Sequence, residues 1–448
     1  MKKVLLLLSL VIAVLQSSAQ TSITVMDSIV FYDGYAGIVT NPPPPQGVLQ
    51  HRNDLFARKL SSAELSSIGT TLQMNVLIKA LCDNYDRIGN VNMALVPVGS
   101  TTYNPDSVDR IELGRFITPF MNKNIQPDSV PYTFNIDNVA MLLKDTGLTN
   151  HFDIWIELQV FGVPYAAQTQ VSGCAGRNDV FIGRLKFETN TAAAVQSSNV
   201  LMPLFFQDNF NNYQAGATDV IGTTARTLQI NIPDDFTDVS LYLITSNHGA
   251  NAGGEEYNRR YHYVYFDNAL QLTYRPGRTT CEPFRQYNTQ GNGIYGATPM
   301  TDNEWQSFSN WCPGDVIDIR QINLGSVSAG NHTFLIRVPT AIFAGGQGNF
   351  PLSLYLQGKN SGTVSIAHPV VDLRNSVSIY PNPSNGKFEV KLANDKAQIT
   401  VIDALGNEKL KIETLNKSTS IQLEENGVYM VQVKTNEGIL SQKIVVNH

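Results

Sequence analysis

Three acidic groupings in this chain could do chemistry on a polar substrate. The first is Asp83-Asn84-Tyr85-Asp86-Arg87, two carboxylates and a guanidinium directly after a strongly apolar run. Carboxylates at the end of a strand can take and give protons. The same residue types also stabilise turns by bonding their own backbone, and taken alone these five favour the turn. The second grouping surrounds Glu157. Residues 151–160 alternate, so Ile154, Ile156, Leu158 and Val160 share one face and Asp153, Trp155, Glu157 and Gln159 the other. A glutamate beside Trp155 suits a sugar-binding or catalytic face, and it equally suits the solvent side of a sandwich. The third grouping is residues 253–262. If extended, this segment puts Glu256, Arg260 and His262 on one face. A carboxylate, a guanidinium and an imidazole suit acid–base work, with a surface ion pair as the competing reading. Finally, Trp311 precedes Cys312-Pro313-Gly314, with Cys281 upstream. A Cys281–Cys312 disulfide would pin a long loop and hold Trp311 in place.

The elements that must position these groups read as strands. Alternating segments bounded by Gly, Pro, Asn and Asp fall at 71–82, 110–120, 151–162, 179–189, 200–207, 238–245, 261–274, 315–324, 332–338 and 351–357. Helical periodicity is confined to 61–67 and 138–145. Many strands and few helices indicate sandwiches or barrels, an all-β chain. The polar stretches at 190–199 and 358–375 divide it. The expected domains are 20–190, 191–360 and 376–448, with 361–375 as a linker. Met1-Lys2-Lys3, an apolar run and Ser17-Ser18-Ala19 read as a cleavable secretory signal over 1–19. The formal net charge is −6, and no Lys/Arg block occurs, so neither nucleic acid nor a membrane surface is an expected partner. Four cysteines permit two disulfides in three connectivities, and no CxxC pair suggests zinc.

After residue 375 the chain reads Tyr380-Pro381-Asn382-Pro383-Ser384-Asn385-Gly386, then Gly427-Val428-Tyr429, and closes on Lys443-Ile444-Val445-Val446. This resembles the C-terminal sorting domain of type IX secretion cargo. The resemblance implies export through the periplasm of a Gram-negative bacterium, to the medium or cell surface, with the type IX machinery as a partner.

The body resembles the bacterial peptide-N-glycosidase F family. The motifs that carry the resemblance are Cys82-Asp83-Asn84-Tyr85-Asp86-Arg87, Gly114-Arg115-Phe116-Ile117-Thr118-Pro119, Ile154-Trp155-Ile156-Glu157, residues 256–262 and Trp311-Cys312-Pro313-Gly314, all in family order. The resemblance implies two side-by-side eight-stranded jelly rolls. It also implies an amidase that hydrolyses the bond between N-linked glycan and asparagine in glycoproteins or glycopeptides. Three acids then carry catalysis. Asp86 positions or activates water, Glu256 holds the asparagine side, and Glu157 supports the sugar or Asp86. Asp83, Arg87, Trp155, His248, Arg260, His262 and Trp311 are the expected substrate-binding residues. No metal or other cofactor is required, and a monomer is expected. The chain departs from the family at Tyr85 and Tyr257, where the family has tryptophan, and at Asn247-His248-Gly249-Ala250. Cys82 lacks its family neighbour, which leaves Cys174 as a candidate partner.

Two other functions compete. A non-catalytic glycan-binding or adhesive protein on this scaffold would expose Trp155 and Trp311 as a sugar platform. A copper monooxygenase on the same fold needs two sets of histidines. The seven histidines, with no His-x-His pair, argue against it.

Overall fold

The computed structural model describes residues 20–191, 199–209, 224–249, 255–290, 301, 303, 305, 309–341, 350–360, 377–392, 397–403, 407–434 and 439–448. The expected signal over 1–19, the linker 361–375 and Gly253-Gly254 lie outside the described residues.

Nine strands build the first sandwich: β1 (Gln20–Tyr32), β2 (Val48–Arg52), β3 (Leu55–Lys59), β4 (Leu72–Ala80), β5 (Ile88–Pro97), β6 (Asp109–Ile117), β7 (Ser129–Asn135), β8 (Phe152–Val160) and β9 (Asp179–Asn190). One sheet has the order β1-β9-β4-β7 and the other β6-β5-β8-β3-β2. Strict alternation explains the packing. Leu72, Met74, Val76, Ile78 and Ala80 of β4 are all buried, against Phe31, Leu185 and Phe187. The short helices α1 (Ser62–Ser67) and α2 (Asp137–Leu143) stand where helical periodicity was found. A capping box between Ser61 and Glu64 starts α1.

The chain from 199 to 360 supplies β10 (Asn199–Asn209), β11 (Ala225–Ile232), β12 (Phe236–Thr245), β13 (His262–Phe266), β14 (Ala269–Tyr274), β15 (Val316–Ile317), β16 (Arg320–Val327), β17 (Gly330–Arg337) and β18 (Pro351–Asn360), and all but β15 build the second sandwich. Its sheets run β10-β18-β12-β16 and β11-β17-β13-β14 around Leu241, Leu243, Phe334, Ile336 and Phe350. The segment 261–274, expected as one strand, is a hairpin. Asp267 and Asn268 both take positive φ, which a two-residue turn between twisted strands requires. The segment 315–324 also divides. Its first half, β15, leaves the second sandwich and pairs with β6 of the first, Val316 opposite Phe116. The first sandwich thus has nine strands of its own, one more than expected, and borrows a tenth.

The last domain packs β19 (Val377–Tyr380), β20 (Lys387–Leu392) and β23 (Ser418–Gln422) against a sheet of β22 (Glu408–Thr414), β21 (Ala397–Asp403), β24 (Gly427–Lys434) and β25 (Ile439–Val446). In the two sandwiches β1, β2, β3, β5, β7 and β11 were not anticipated: β2 and β3 are short, and β5 is buried at nearly every residue and so shows no alternation.

Arg115 joins the first two sandwiches. It is fully buried on β6 and grips Glu112 with two bonds of 2.7 and 2.8 Å. Its remaining nitrogen donates across the interface to Ser246 Oγ and the Pro351 carbonyl, each at 2.8 Å. A guanidinium suits this place because one planar group can bond to both domains at once.

Candidate active site

Asp86 sits in the turn between β4 and β5. A disulfide, Cys82–Cys174, anchors the start of the turn. Asp83 then organises it as a buried hub. Its carboxylate accepts the Tyr85 N–H at 2.9 Å, the Val163 N–H at 2.7 Å and the Arg87 Nε at 2.6 Å. Arg87 is further fixed by exchange with Thr118, whose hydroxyl accepts its N–H at 2.7 Å and whose N–H bonds its carbonyl at 2.8 Å. The turn reading of the sequence therefore applies to Asp83, and the turn it makes holds Asp86 half-buried.

Glu256 comes from the second sandwich. Residues Glu255–Tyr257 form a 3₁₀ turn, not an extended segment. The Gly249 N–H donates to the Glu256 carboxylate at 2.7 Å. Its carbonyl accepts bonds from Ser309 Oγ at 2.9 Å and Asn310 Nδ2. Asn310 and Trp311 both donate to the Asn247 carbonyl, at 3.1 and 3.0 Å. The Cys281–Cys312 disulfide closes this loop.

The two acids feel each other. Burial pushes the Asp86 carboxyl up to about 8, the negative charge of Glu256 adds to the rise, and Arg87 opposes it only in part. Burial also raises Glu256, against the Gly249 N–H. Burial thus raises both acids, and Asp86, at about 8, keeps its proton at neutral pH. Tyr257 is raised by burial and by both carboxylates, which puts its hydroxyl in the field of the pair.

The other expected site residues divide. Arg260 does not share a face with Glu256 and His262. The 3₁₀ turn rotates it onto Glu255, which it grips with bonds of 2.8 and 3.0 Å. His262 is buried in the second core, stacked on Tyr274 at 4.5 Å, and burial drives it down to about 3. His248 adjoins Gly249. Its Nε2 meets Ser246 Oγ at 2.7 Å, and burial with the Arg115 charge lowers it to about 3, so it is a neutral imidazole. The Ser246 hydroxyl thus accepts from Arg115 and also meets the His248 imidazole, linking the two side chains.

Glu157 does not lie on a solvent face. It is fully buried, taking bonds from Tyr103 Oη at 2.8 Å, Asn92 Nδ2 at 3.0 Å and Arg110 at 3.4 Å. It lies opposite Asn92 on β5, six residues along the chain from Asp86. Extended chain rises ~3.3 Å per residue, so the two can stand up to ~20 Å apart. Trp155 is buried under Tyr103, which stacks edge-on at 5.4 Å, and Trp311 is 3% exposed in the interdomain cluster with Ile117 and Phe120. Neither tryptophan offers an open platform. Arg115, Glu112, Tyr103 and Asn310 were not singled out, although Arg115 lay inside a quoted motif. Nothing in local spacing shows which polar side chains a second domain will cover.

Residues 22–175 match the family described as peptide-N-glycosidase F, N terminal, and residues 217–357 match its C-terminal counterpart. This chain belongs to the peptide-N-glycosidase F family. Residues 378–447 match the secretion-system C-terminal sorting domain, which marks the family member for type IX secretion to the medium or cell surface. Among solved structures, PNGF-II is similar at 20% identity and a TM-score of 0.55, over 77% of this chain and 66% of that one. This chain thus spans just under two thirds of PNGF-II. Peptide-N-glycosidase F from Flavobacterium meningosepticum, a glycosylasparaginase, is similar at 14% identity and a TM-score of 0.49, over 78% of this chain and 98% of that one. At 20% identity the likeness to PNGF-II establishes the shared jelly-roll fold. No curated protein matches the chain.

Proposed function

We propose that this family member is a glycoamidase that hydrolyses the side-chain amide joining an N-linked glycan to asparagine, giving aspartate and a glycosylamine. The observation that carries the reading is the pair Asp86–Glu256, one acid from each sandwich, with Asp86 raised to about 8 by burial and by Glu256. Amide hydrolysis needs a base to take a proton from water and an acid to protonate the leaving nitrogen. At neutral pH this pair supplies both. Glu256, ionised, takes a proton as the water oxygen adds to the carbonyl carbon. Asp86 gives its proton to nitrogen as the C–N bond breaks; the pair resets when the proton taken by Glu256 returns to Asp86, and the product carboxylic acid releases its own proton to solvent. This reverses the roles expected from the motifs alone, where Asp86 served the water. His248, a neutral imidazole one residue from the Gly249 amide that binds Glu256, adds no charge to the pair. Glu157, already bonded by three groups, supports the interdomain wall through Arg110 and takes no part in proton transfer. No metal or organic cofactor enters the scheme.

The test is glycan release from a denatured N-glycoprotein by the mature chain, with Asp86→Ala and Glu256→Gln beside it. The expected result is released glycan together with conversion of asparagine to aspartate, lost in both variants. Full activity in either variant, or no release from high-mannose, complex and core-fucosylated substrates, would overturn the scheme.

A further inference from the structure

Next to the Asp86 turn stands an aromatic pair that the reaction does not use. Tyr35 is 72% exposed, yet its loop is firmly held. Asn53 Nδ2 donates to the carbonyls of Asp33 at 2.8 Å and Gly37 at 3.1 Å, and its Oδ1 accepts the Val39 N–H at 2.9 Å. Asp33 accepts the Tyr35 N–H at 3.0 Å. Gly34 donates to the Gly162 carbonyl at 2.9 Å and lies flat on Phe161, where a Cβ would come within 2.6 Å of the ring. Only glycine permits that approach. Tyr35 then meets Phe161 edge-on, centroids 5.2 Å apart.

This pair is tied to both sides of Asp86. The Phe161 N–H donates to the Ile88 carbonyl at 3.3 Å, and the Val163 N–H donates to Asp83 at 2.7 Å. Phe161 follows Gln159 by two residues, and Gln159 faces Asn90 across the strands. Asn90 is 4% exposed, and its Oδ1 has no partner among the described residues. Gln159 donates to Asp54 at 3.1 Å, and Asp54 also pairs with Arg52 at 2.9 Å. A buried acceptor without a donor is destabilising. Fixing an exposed ring restricts its motion with no burial in return. Both costs are offset by a ligand that combines an apolar face with hydroxyl groups.

We propose that Tyr35 and Phe161 form a saccharide-stacking subsite. It takes sugar units of an N-linked glycan beyond the two nearest asparagine, with Asn90, Gln159, Asp54 and Arg52 meeting their hydroxyls. A pyranose has the required shape, with C–H bonds on its faces and hydroxyls at its rim. An apolar peptide side chain would leave the polar row unmet. The direction in which the glycan runs rests on the amidase reading, whereas the stacking itself does not.

Calorimetric titration of the mature chain with a free high-mannose oligosaccharide, and with N,N′-diacetylchitobiose, tests this directly, because neither ligand contains asparagine. Tyr35→Ala should weaken the oligosaccharide about tenfold (~1.4 kcal/mol) and leave the disaccharide unchanged. Tyr380→Ala, an exposed tyrosine of the sorting domain, should change neither. No oligosaccharide binding, or equal binding in wild type, Tyr35→Ala and Phe161→Ala, would overturn the subsite. Loss of binding on Tyr35→Ala in a chain that releases no glycan would remove the amidase reading and leave the subsite standing. Glycan release with one KM for wild type and Tyr35→Ala would remove the subsite alone.

Discussion

Replacing Asp86 with asparagine should stabilise this protein. An unfolded aspartate ionises near its ordinary value of 3.8, whereas the folded chain holds the Asp86 proton up to about 8. Between these values the folded state carries one more proton than the unfolded state, so wild-type stability falls as pH rises, by ~1.4 kcal/mol per pH unit. The contribution of Asp86 is fully present below 3.8, declines through neutrality, and levels off once pH passes about 8. At pH 7 the accumulated loss is ~4 kcal/mol, an upper figure because local relaxation lets water reach a half-buried carboxylate. Asparagine is nearly isosteric and never ionises, so Asp86→Asn escapes the loss. The assay is scanning calorimetry of both proteins from pH 4 to pH 9. The two should unfold at similar temperatures at pH 4, separate progressively through neutrality with the variant higher, and hold a constant gap above pH 8. A gap that does not change with pH would refute the coupling of Asp86 to burial and to Glu256. A gap that widens toward acid would mean that the native fold prefers the ionised carboxylate.

Three further outcomes follow from the same contacts. Glu256→Gln removes the neighbouring negative charge, so the Asp86 carboxyl should release its proton below pH 8, which an NMR titration of the side-chain carboxyl reads. Glu157→Gln should cost ~1–3 kcal/mol of stability, because Arg110 loses its buried anionic partner and keeps only the exposed Asp106, while the limbs of the pH–rate profile stay in place; a moved limb would restore a proton-transfer role to Glu157. Arg115→Met strands Glu112 in the interdomain wall. Loss of one partner of a buried pair costs ~3–5 kcal/mol, Arg115→Lys should fail to restore it because one ammonium cannot bond to Glu112 and both domains, and thermal denaturation measures both.

The sequence by itself determined the local structure wherever periodicity was clean. β4, β8, β9 and β18 announced themselves because one face of each is apolar at every second residue. The helical periodicity of α1 and the sorting domain were equally readable. The motifs also gave the family, and with it the three acids as candidates. What they could not give was which polar face meets water. Residues 151–160 present the same alternation whether Glu157 is solvated or sealed beneath Tyr103 and Arg110, and only the arrival of non-local residues decides. The segment after residue 254 looked extended, but its 3₁₀ turn sends Arg260 to Glu255 and His262 into a core. β15 crosses to the other sandwich because β6 offers an open edge there, a pairing encoded in neither segment alone. The proton on Asp86 is likewise a tertiary property. Its pKa depends on the water removed by two domains and on a glutamate 170 positions away. Periodicity reports which residues share a face; only packing reports what that face is pressed against.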